Sequence, residues 1–394
     1  MTDAAPQPFV SHTPPAAIED LRARLRATRW PDAPQDAGWA YGTDPGYLRE
    51  LVGYWADGFD WSAQEAELNR LPRFRARVGG AGSAGGPGIH FVHARAVAPA
   101  GPVVPLVLSH GWPDSFWRYT KVIPLLTDPG AHGADPGDAF DVVVPDAPGF
   151  GYSDRPTGAP LDVIAIAGLW AELMPMLGYE RFGAAGGDVG SHVSRYLALD
   201  HPDRVVAVHR TDAGIPVYPG DPSDLEPEER EWMRDAAAWG ATEGAYAAIQ
   251  RTKPQTAAVG LNDSPAALAA WIVEKLRAWS DCGGAVERRF TKDEILTNVS
   301  IYWFTETIGS SMRLYRANAA IPPAQHGRRV EVPSGFALFQ GDVVRPPRAW
   351  LERTTNLVRV TEPPHGGHFA AFEEPEVYAQ ELREFFRPYR AEFA

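Results

Sequence analysis

The segment Phe182-Gly-Ala-Ala-Gly-Gly-Asp188-Val-Gly-Ser-His192 decides the fold of this chain of 394 residues. A short apolar run enters the pattern Gly186-x-Asp188-x-Gly190, and a helical stretch follows it. Small residues two positions before and two after a central residue permit the strained strand-to-helix turn called a nucleophile elbow. The turn lifts the central side chain above a sheet, beside a helix N-terminus that favours negative charge. In the usual motif this residue is Ser; here it is Asp188. The alternative is a structural turn with a surface aspartate.

Apolar runs on both sides of the elbow alternate with helical stretches, which predicts a mainly parallel sheet with helices on both faces. The predicted strands cover residues 89–92, 103–108, 141–144, 182–185, 205–209, 336–339 and 357–360, and the clearest helical stretches cover 161–177 and 191–198. The interval Pro216–Pro333 breaks this alternation, because it has several helical patterns and no convincing strand. We therefore predict an α/β fold with a helical cap inserted between two strands of the sheet.

The first 88 residues form a distinct region. Ile18, Leu21 and Leu25 recur at helical spacing, and a second helical stretch covers 47–59. Many aromatic side chains here need a partner surface, so we predict a helical arm that packs on the body. The Gly- and Ser-rich segment Gly79–Gly88 predicts a boundary loop. The predicted organisation is an arm (1–88), a first part of the core (89–215), the cap (216–333) and a second part of the core (334–394).

Composition excludes several classes of function. The net charge of −13, without a basic stripe, argues against binding of nucleic acid. The single cysteine, Cys282, lies in a turn-like Ser-Asp-Cys-Gly-Gly segment, so neither an internal disulfide nor a thiol nucleophile is expected. The sequence has no apolar run of membrane-spanning length and no signal-peptide pattern. We therefore expect a cytoplasmic protein that is not bound to a membrane.

Residues after other predicted strands complete the expected site. His110-Gly111-Trp112-Pro113 follows strand 103–108, where an elbow enzyme needs an oxyanion loop. The backbone N–H groups of Trp112 and Val189 are predicted to face the developing oxyanion. The His110 side chain is interpreted as packing within the turn.

An acid and a histidine follow the elbow in the required order. Asp342 comes shortly after strand 336–339, and His368 lies in a glycine-rich loop after strand 357–360. The order nucleophile, acid, histidine is that of the α/β-hydrolase triad. His365, three residues before His368, is the competing candidate. We predict the α/β-hydrolase fold with the triad Asp188, Asp342 and His368.

A carboxylate at the elbow restricts the chemistry. Attack on an acyl carbon would form an anhydride, which is a poor intermediate. Attack on a saturated carbon forms an alkyl ester, which water activated by a histidine can cleave. The sequence therefore favours opening of an epoxide or cleavage of a carbon–halogen bond, and it disfavours a serine esterase.

The chain resembles the epoxide hydrolases related to the microsomal and juvenile-hormone enzymes, including their soluble bacterial members, over nearly its whole length. The resemblance rests on segments such as DLRARLRATRWPD, HGWPDSFW, PDAPGFGYS, GGDVGS, LTNVSIYW and GGHFAAFEEP. It implies that Asp188 is the nucleophile, Asp342 the orienting acid and His368 the base. It further implies hydrolysis of an epoxide to a vicinal diol through an ester on Asp188, without metal or organic cofactor.

The resemblance also implies that two cap tyrosines, Tyr246 and Tyr315, hold the epoxide oxygen. A phenol suits this role because it donates a hydrogen bond and can yield a proton to an alkoxide. Tyr302 is the alternative among the thirteen tyrosines. Each of these side chains could instead pack in the core or at the rim.

Two departures from the family pattern bear on function. Val189 stands where the family commonly has Trp, which leaves a roomier pocket and disfavours dehalogenation. Asp342 stands where some relatives carry Glu, which affects how strongly His368 is oriented. A haloalkane dehalogenase and a non-catalytic, hydrolase-like ligand-binding protein remain the alternatives.

The cap is rich in tryptophan, which suggests an apolar and fairly bulky epoxide as the partner, together with water. The tryptophans are Trp232, Trp239, Trp271, Trp279 and Trp303. They could equally form the core of the cap, which is the expectation for most of them. The aromatic arm could serve a homodimer.

Overall fold

The computed structural model describes residues 5–79 and 85–393. Half of the boundary loop predicted at Gly79–Gly88, residues 80–84, therefore lies outside the described residues. The strands are β1 (Gln7–Pro8), β2 (Arg73–Arg77), β3 (Gly88–Ala94), β4 (Val104–Ser109), β5 (Phe140–Pro145), β6 (Phe182–Gly186), β7 (Val205–Arg210), β8 (Val330–Ala337) and β9 (Thr355–Thr361).

In the described part of the chain these strands form one nine-stranded sheet in the order β1-β2-β3-β5-β4-β6-β7-β8-β9. All neighbours from β5 to β9 are parallel, whereas β1, β2 and β3 extend one side of the sheet in antiparallel pairs. Central parallel strands are covered on both faces and are therefore apolar throughout. Their carboxyl ends meet at one edge, which is where loops carry functional residues in such sheets.

The helices are α1 (Pro15–Arg26), α2 (Pro45–Asp57), α3 (Trp61–Leu68), α4 (Val122–Thr127), α5 (Val163–Met176), α6 (Val189–Asp200), α7 (Pro227–Thr242), α8 (Ala245–Thr252), α9 (Pro254–Asp263), α10 (Pro265–Trp279), α11 (Lys292–Thr305), α12 (Ile308–Asn318), α13 (Pro323–His326), α14 (Arg348–Thr354), α15 (Ala370–Glu373) and α16 (Pro375–Phe386). Against the sheet, α5 packs with α6, and α4 packs with α16. Helices α7 to α13 lie between β7 and β8 along the chain. The predicted α/β-hydrolase architecture is confirmed.

Two elements differ from the prediction. Strand β8 begins at Val330, inside the interval 216–333 that was predicted to contain no strand. Glu331, Pro333 and Gly335 interrupt its apolar pattern, so its first half does not look like a strand. The first 88 residues are not purely a helical arm, because β1 and β2 join the sheet. The sequence of β2, RFRAR, carries alternating arginines and no apolar run.

The N-terminal helices fasten to the cap. Helices α1 and α2 both contact α10. The indole N–H of Trp55 donates to the Ser300 hydroxyl at 3.1 Å, and the Tyr54 hydroxyl donates to Asp293 at 2.7 Å. The N-terminal region therefore contacts the sheet and the cap together. Within residues 5–79 and 85–393, no helix is both long enough and apolar enough to cross a membrane.

Candidate functional site

The elbow between β6 and α6 holds Asp188 in a strained backbone conformation, with φ 57° and ψ −128°. Close packing explains the neighbouring glycines. A Cβ on Gly190 would lie 1.9 Å from the carbonyl oxygen of Ser109, and a Cβ on Gly186 would lie 2.5 Å from that of Gly190. Both distances are far below van der Waals contact, so only glycine fits at these two positions.

The Asp188 carboxylate is held from two sides. Its Oδ1 accepts a hydrogen bond from the Trp112 N–H at 2.8 Å, and its Oδ2 lies 3.2 Å from His368 Nε2. Burial alone would raise the pKa of Asp188. The contacts with His368 and with the Val189 and Trp112 N–H groups outweigh burial and lower that pKa to about 2. Asp188 is therefore ionised.

His368 bridges two carboxylates. Its Nδ1 lies 2.8 Å from Asp342 Oδ1, which also accepts the Val343 N–H at 2.7 Å. Burial would lower the pKa of His368, but Asp342 and Asp188 together raise it well above its ordinary value. The two carboxylates therefore favour the protonated imidazole, which is paired with both of them. Asp342 fixes the orientation of the ring, as the acid of a triad does.

Two other histidines discussed above, His365 and His110, have different surroundings. His365 is exposed. The His110 ring accepts the Ala147 N–H at 3.1 Å and is buried within the turn, as the sequence suggested.

Arg118 is also buried and donates hydrogen bonds to the His368 carbonyl and to the Asp114 carboxylate. These contacts anchor the loop that carries His368.

Tyr246 and Tyr315 lie over the Trp112 ring. The Tyr246 ring stacks on Trp112 with centroids 5.3 Å apart, and the Tyr315 ring meets it edge-on at 5.9 Å. Both tyrosines line the same cavity as Asp188. Burial, together with the nearby Asp188 charge, raises the pKa of each phenol. Both hydroxyls are therefore protonated and able to donate.

Tyr302, the alternative to these two, is fully buried and donates to the Asp114 carbonyl oxygen at 2.8 Å. It does not line the cavity. Its hydroxyl supports the loop after Trp112, and it has no direct path to a bound substrate.

The cavity has a volume of about 410 Å³ and is mostly apolar. Of the five cap tryptophans, Trp239 and Trp279 line it. Trp232 packs on Trp350 in a separate cluster, and the other two pack against the main core. Among the described side chains, no group of three or more His, Cys, Asp or Glu residues could hold a metal ion.

Sequence reasoning missed Asp212, a buried acid two residues after β7. Its Oδ2 accepts the N–H of Asp188 at 2.7 Å, and its Oδ1 accepts the Gly214 N–H at 2.8 Å. Burial, followed by the charge of Asp342, raises the pKa of Asp212 to about 6. Its place at the carboxyl end of a parallel strand was a signal that could have identified it.

Comparison with known proteins identifies the family of this chain. Residues 6–119 match the family described as "Epoxide hydrolase N terminus", and residues 104–258 match the "alpha/beta hydrolase fold" family. Epoxide hydrolase 1 of Sus scrofa is 34% identical over 417 residues, covering 97% of this chain and 89% of the pig protein.

Two solved structures share the fold over nearly the whole chain. The juvenile hormone epoxide hydrolase of Bombyx mori superposes with a TM-score of 0.84 at 28% identity, covering 99% of this chain and 95% of the silkworm chain. The epoxide hydrolase of Aspergillus niger superposes with a TM-score of 0.84 at 29% identity, covering 98% of this chain and 97% of the fungal chain.

Proposed function

This chain belongs to the epoxide hydrolase family and is an epoxide hydrolase, and from that premise we propose that it works through a covalent ester on Asp188 and releases a vicinal diol. One observation carries the proposal. The contact chain Asp188–His368–Asp342 lies in one cavity with two protonated cap tyrosines.

In the first half-reaction, Asp188 attacks one oxirane carbon and the bond from that carbon to the ring oxygen breaks. Oδ1, held by the Trp112 N–H, becomes the carbonyl oxygen of the ester, and Oδ2 forms the new bond to carbon. A carboxylate with a pKa of about 2 is fully available as a nucleophile at neutral pH. The strained elbow presents it to the cavity.

The departing oxygen receives a proton from Tyr246 or Tyr315. Their paired position over Trp112 supports this role. The resulting phenolate is then neutralised by the proton of the His368 imidazolium. That proton becomes available because esterification removes the Asp188 charge, which had helped to raise the pKa of His368.

In the second half-reaction, neutral His368 takes a proton from water as that water attacks the ester carbonyl. The oxyanion forms on the oxygen held by the Trp112 N–H, and the Val189 N–H is proposed as its second donor. Collapse of this intermediate breaks the bond between the Asp188 carbonyl carbon and the diol oxygen, which takes the proton of the added hydroxyl. The neutral diol leaves, and the Asp188 carboxylate and the His368 imidazolium are restored. Metal and organic cofactors have no part in this scheme, and the apolar cavity wall favours an apolar epoxide.

A trapped intermediate tests the proposal. The His368→Gln variant, incubated with a panel of aryl and alkyl epoxides, should gain the mass of one epoxide because the ester forms and persists. The gain should be absent from an Asp188→Ala, His368→Gln double variant. His365→Gln, which changes an exposed neighbour, should turn over without gaining mass.

Other outcomes of the same experiment contradict the proposal. Adducts formed from haloalkanes and not from epoxides would indicate dehalogenation. Diol formation by Asp188→Ala at the parent rate would exclude the covalent route and require direct attack by water.

A further inference from the structure

Helix α6 lines the cavity with one continuous stripe of side chains. Asp188, Val189, His192 and Tyr196 all face it. Residues four apart share one face of a helix, and each residue adds 1.5 Å along the axis, so His192 lies roughly 6 Å beyond the nucleophile. A substrate held at Asp188 and extended along α6 therefore meets His192 next.

The His192 ring has unused hydrogen-bonding capacity. It is half-buried and lines the cavity, so it is open to a molecule bound there. Gly214, with φ 72°, leaves space for the ring, because a Cβ there would lie 2.2 Å from His192 Nε2. An imidazole that faces an otherwise mostly apolar cavity is a polar group with which a bound molecule can form a hydrogen bond.

Charge around His192 selects the kind of partner. Burial, together with the nearby charges of Arg210 and Arg195, lowers the pKa of His192 to about 3, against the opposing charge of Asp188. The ring is therefore neutral and has one N–H to donate. The two arginines are buried and form no ion pair in the described part of the chain. A neutral ring that donates its N–H takes an oxygen acceptor as its partner. His326 also faces this region and has the same effect on the pKa of His192 as the arginines.

We propose that His192 is a second recognition point for the substrate, and that it donates a hydrogen bond to a carbonyl or ether oxygen carried on the chain attached to the epoxide. This inference rests on the proposed function, because it takes the oxirane to be held at Asp188. The preferred substrate class is therefore an apolar epoxide with one neutral oxygen acceptor at a fixed separation from the ring.

A series of matched substrates tests this. Terminal epoxides of equal chain length would carry either an all-carbon tail or a ketone, and the ketone would move outward one carbon at a time. Diol formation gives kcat/KM for each member. One ketone position should exceed the all-carbon epoxide by about tenfold, since a hydrogen bond of about 1.4 kcal/mol corresponds to that factor.

Variants separate the hydrogen bond from simple packing. In His192→Leu, kcat/KM should no longer depend on the position of the ketone, because the donor is lost while an apolar side chain still fills the site. His192→Gln keeps an N–H donor and should retain part of the preference. His132→Leu, on the exposed surface, should leave the maximum where it is.

A flat series in the parent enzyme, or a maximum that survives in His192→Leu, would overturn the role of His192. Diol would still form in both cases, so the proposed reaction would stand. Failure of every member of the series to form diol would overturn the reaction and the role of His192 together.

Discussion

At the scale of single residues, the neighbours of the two Asp188 oxygens together keep this proposed nucleophile ionised. The His368 contact is the foremost of the interactions that lower its pKa, whereas burial acts in the opposite direction. In the parent enzyme, ester formation in a single turnover should stay level as the pH falls to about 4, because Asp188 remains ionised there.

Removal of the imidazole should change that profile. In His368→Gln the burial of Asp188 remains and its partner is gone, so its pKa rises and ester formation should fall at a higher pH than in the parent. Rapid-quench mass spectrometry across the acid range measures the ester directly. Coincident profiles for parent and variant would contradict the assigned cause.

The cap phenols should act on the first half-reaction. Tyr246→Phe should slow ester formation by about ten- to a hundredfold, because one of two donors to the departing oxygen is lost. Tyr302→Phe is the matched control. Its hydroxyl bonds to the Asp114 carbonyl, so this change should cost about 1 kcal/mol of stability and leave the rate of ester formation intact. Equal slowing in both variants would argue against a direct role for Tyr246.

Asp212 should make the free energy of unfolding depend on pH. Its pKa is raised to about 6 in the folded protein, above its ordinary value. A group of this kind contributes stability that is complete below its unfolded pKa and is lost as the pH rises through the folded value. Asp212→Asn removes that contribution. The difference in free energy of unfolding between parent and variant should therefore change from about pH 4 to about pH 6.

Urea titrations of both proteins across this pH range measure the difference. A constant difference would mean that Asp212 does not titrate there.

At the scale of the element, the elbow depends on the contact between β4 and the start of α6. Gly190→Ala forces a methyl group onto the Ser109 carbonyl and should destabilise the protein by at least about 1–3 kcal/mol. Gly168→Ala, in α5 with open space around it, should instead stabilise by about 0.5–1 kcal/mol. Thermal melts compare the two, and equal melting temperatures would contradict this reading of the elbow.

Differences in how the strands are buried and paired explain which elements the sequence could predict. Strands β4 to β7 lie within two residues of their predicted bounds, because central parallel strands are continuous apolar runs. The early half of β8 was missed because its pairing with β9, and not its composition, makes it a strand. Strand β2 was missed for the same reason, because its pairing with β3, and not its composition, makes it a strand.

Some of the candidate site residues could be predicted from the sequence alone, and others could not. Asp188, Asp342 and His368 each follow a strand, so chain order alone placed them at one edge of the sheet. Composition could not single out Tyr246 and Tyr315, because packing of the cap brings them over Trp112. Asp212 was overlooked because Arg-Thr-Asp after a strand resembles an ordinary turn.

At the scale of the whole molecule, the N-terminal region joins the sheet to the cap, and Trp55 is a principal contact. Trp55→Ala should lower the free energy of unfolding by about 3–5 kcal/mol, because a fully buried indole is removed. Tyr41→Ala, at a side chain that is 80% exposed, should change it by less than about 0.5 kcal/mol. Urea denaturation measures both, and similar small losses would show that the region packs only loosely.

Trp112 belongs to the sheet half of the molecule, yet the rings above it belong to the cap. Its main chain touches the nucleophile while its indole supports both phenols. Trp112 therefore positions both Asp188, the proposed attacking group, and the two tyrosines that are proposed to deliver the proton. Because Asp188 and both phenols contact this one residue, substitutions in the outer walls of the cap should leave the separation between the carboxylate and the phenols unchanged.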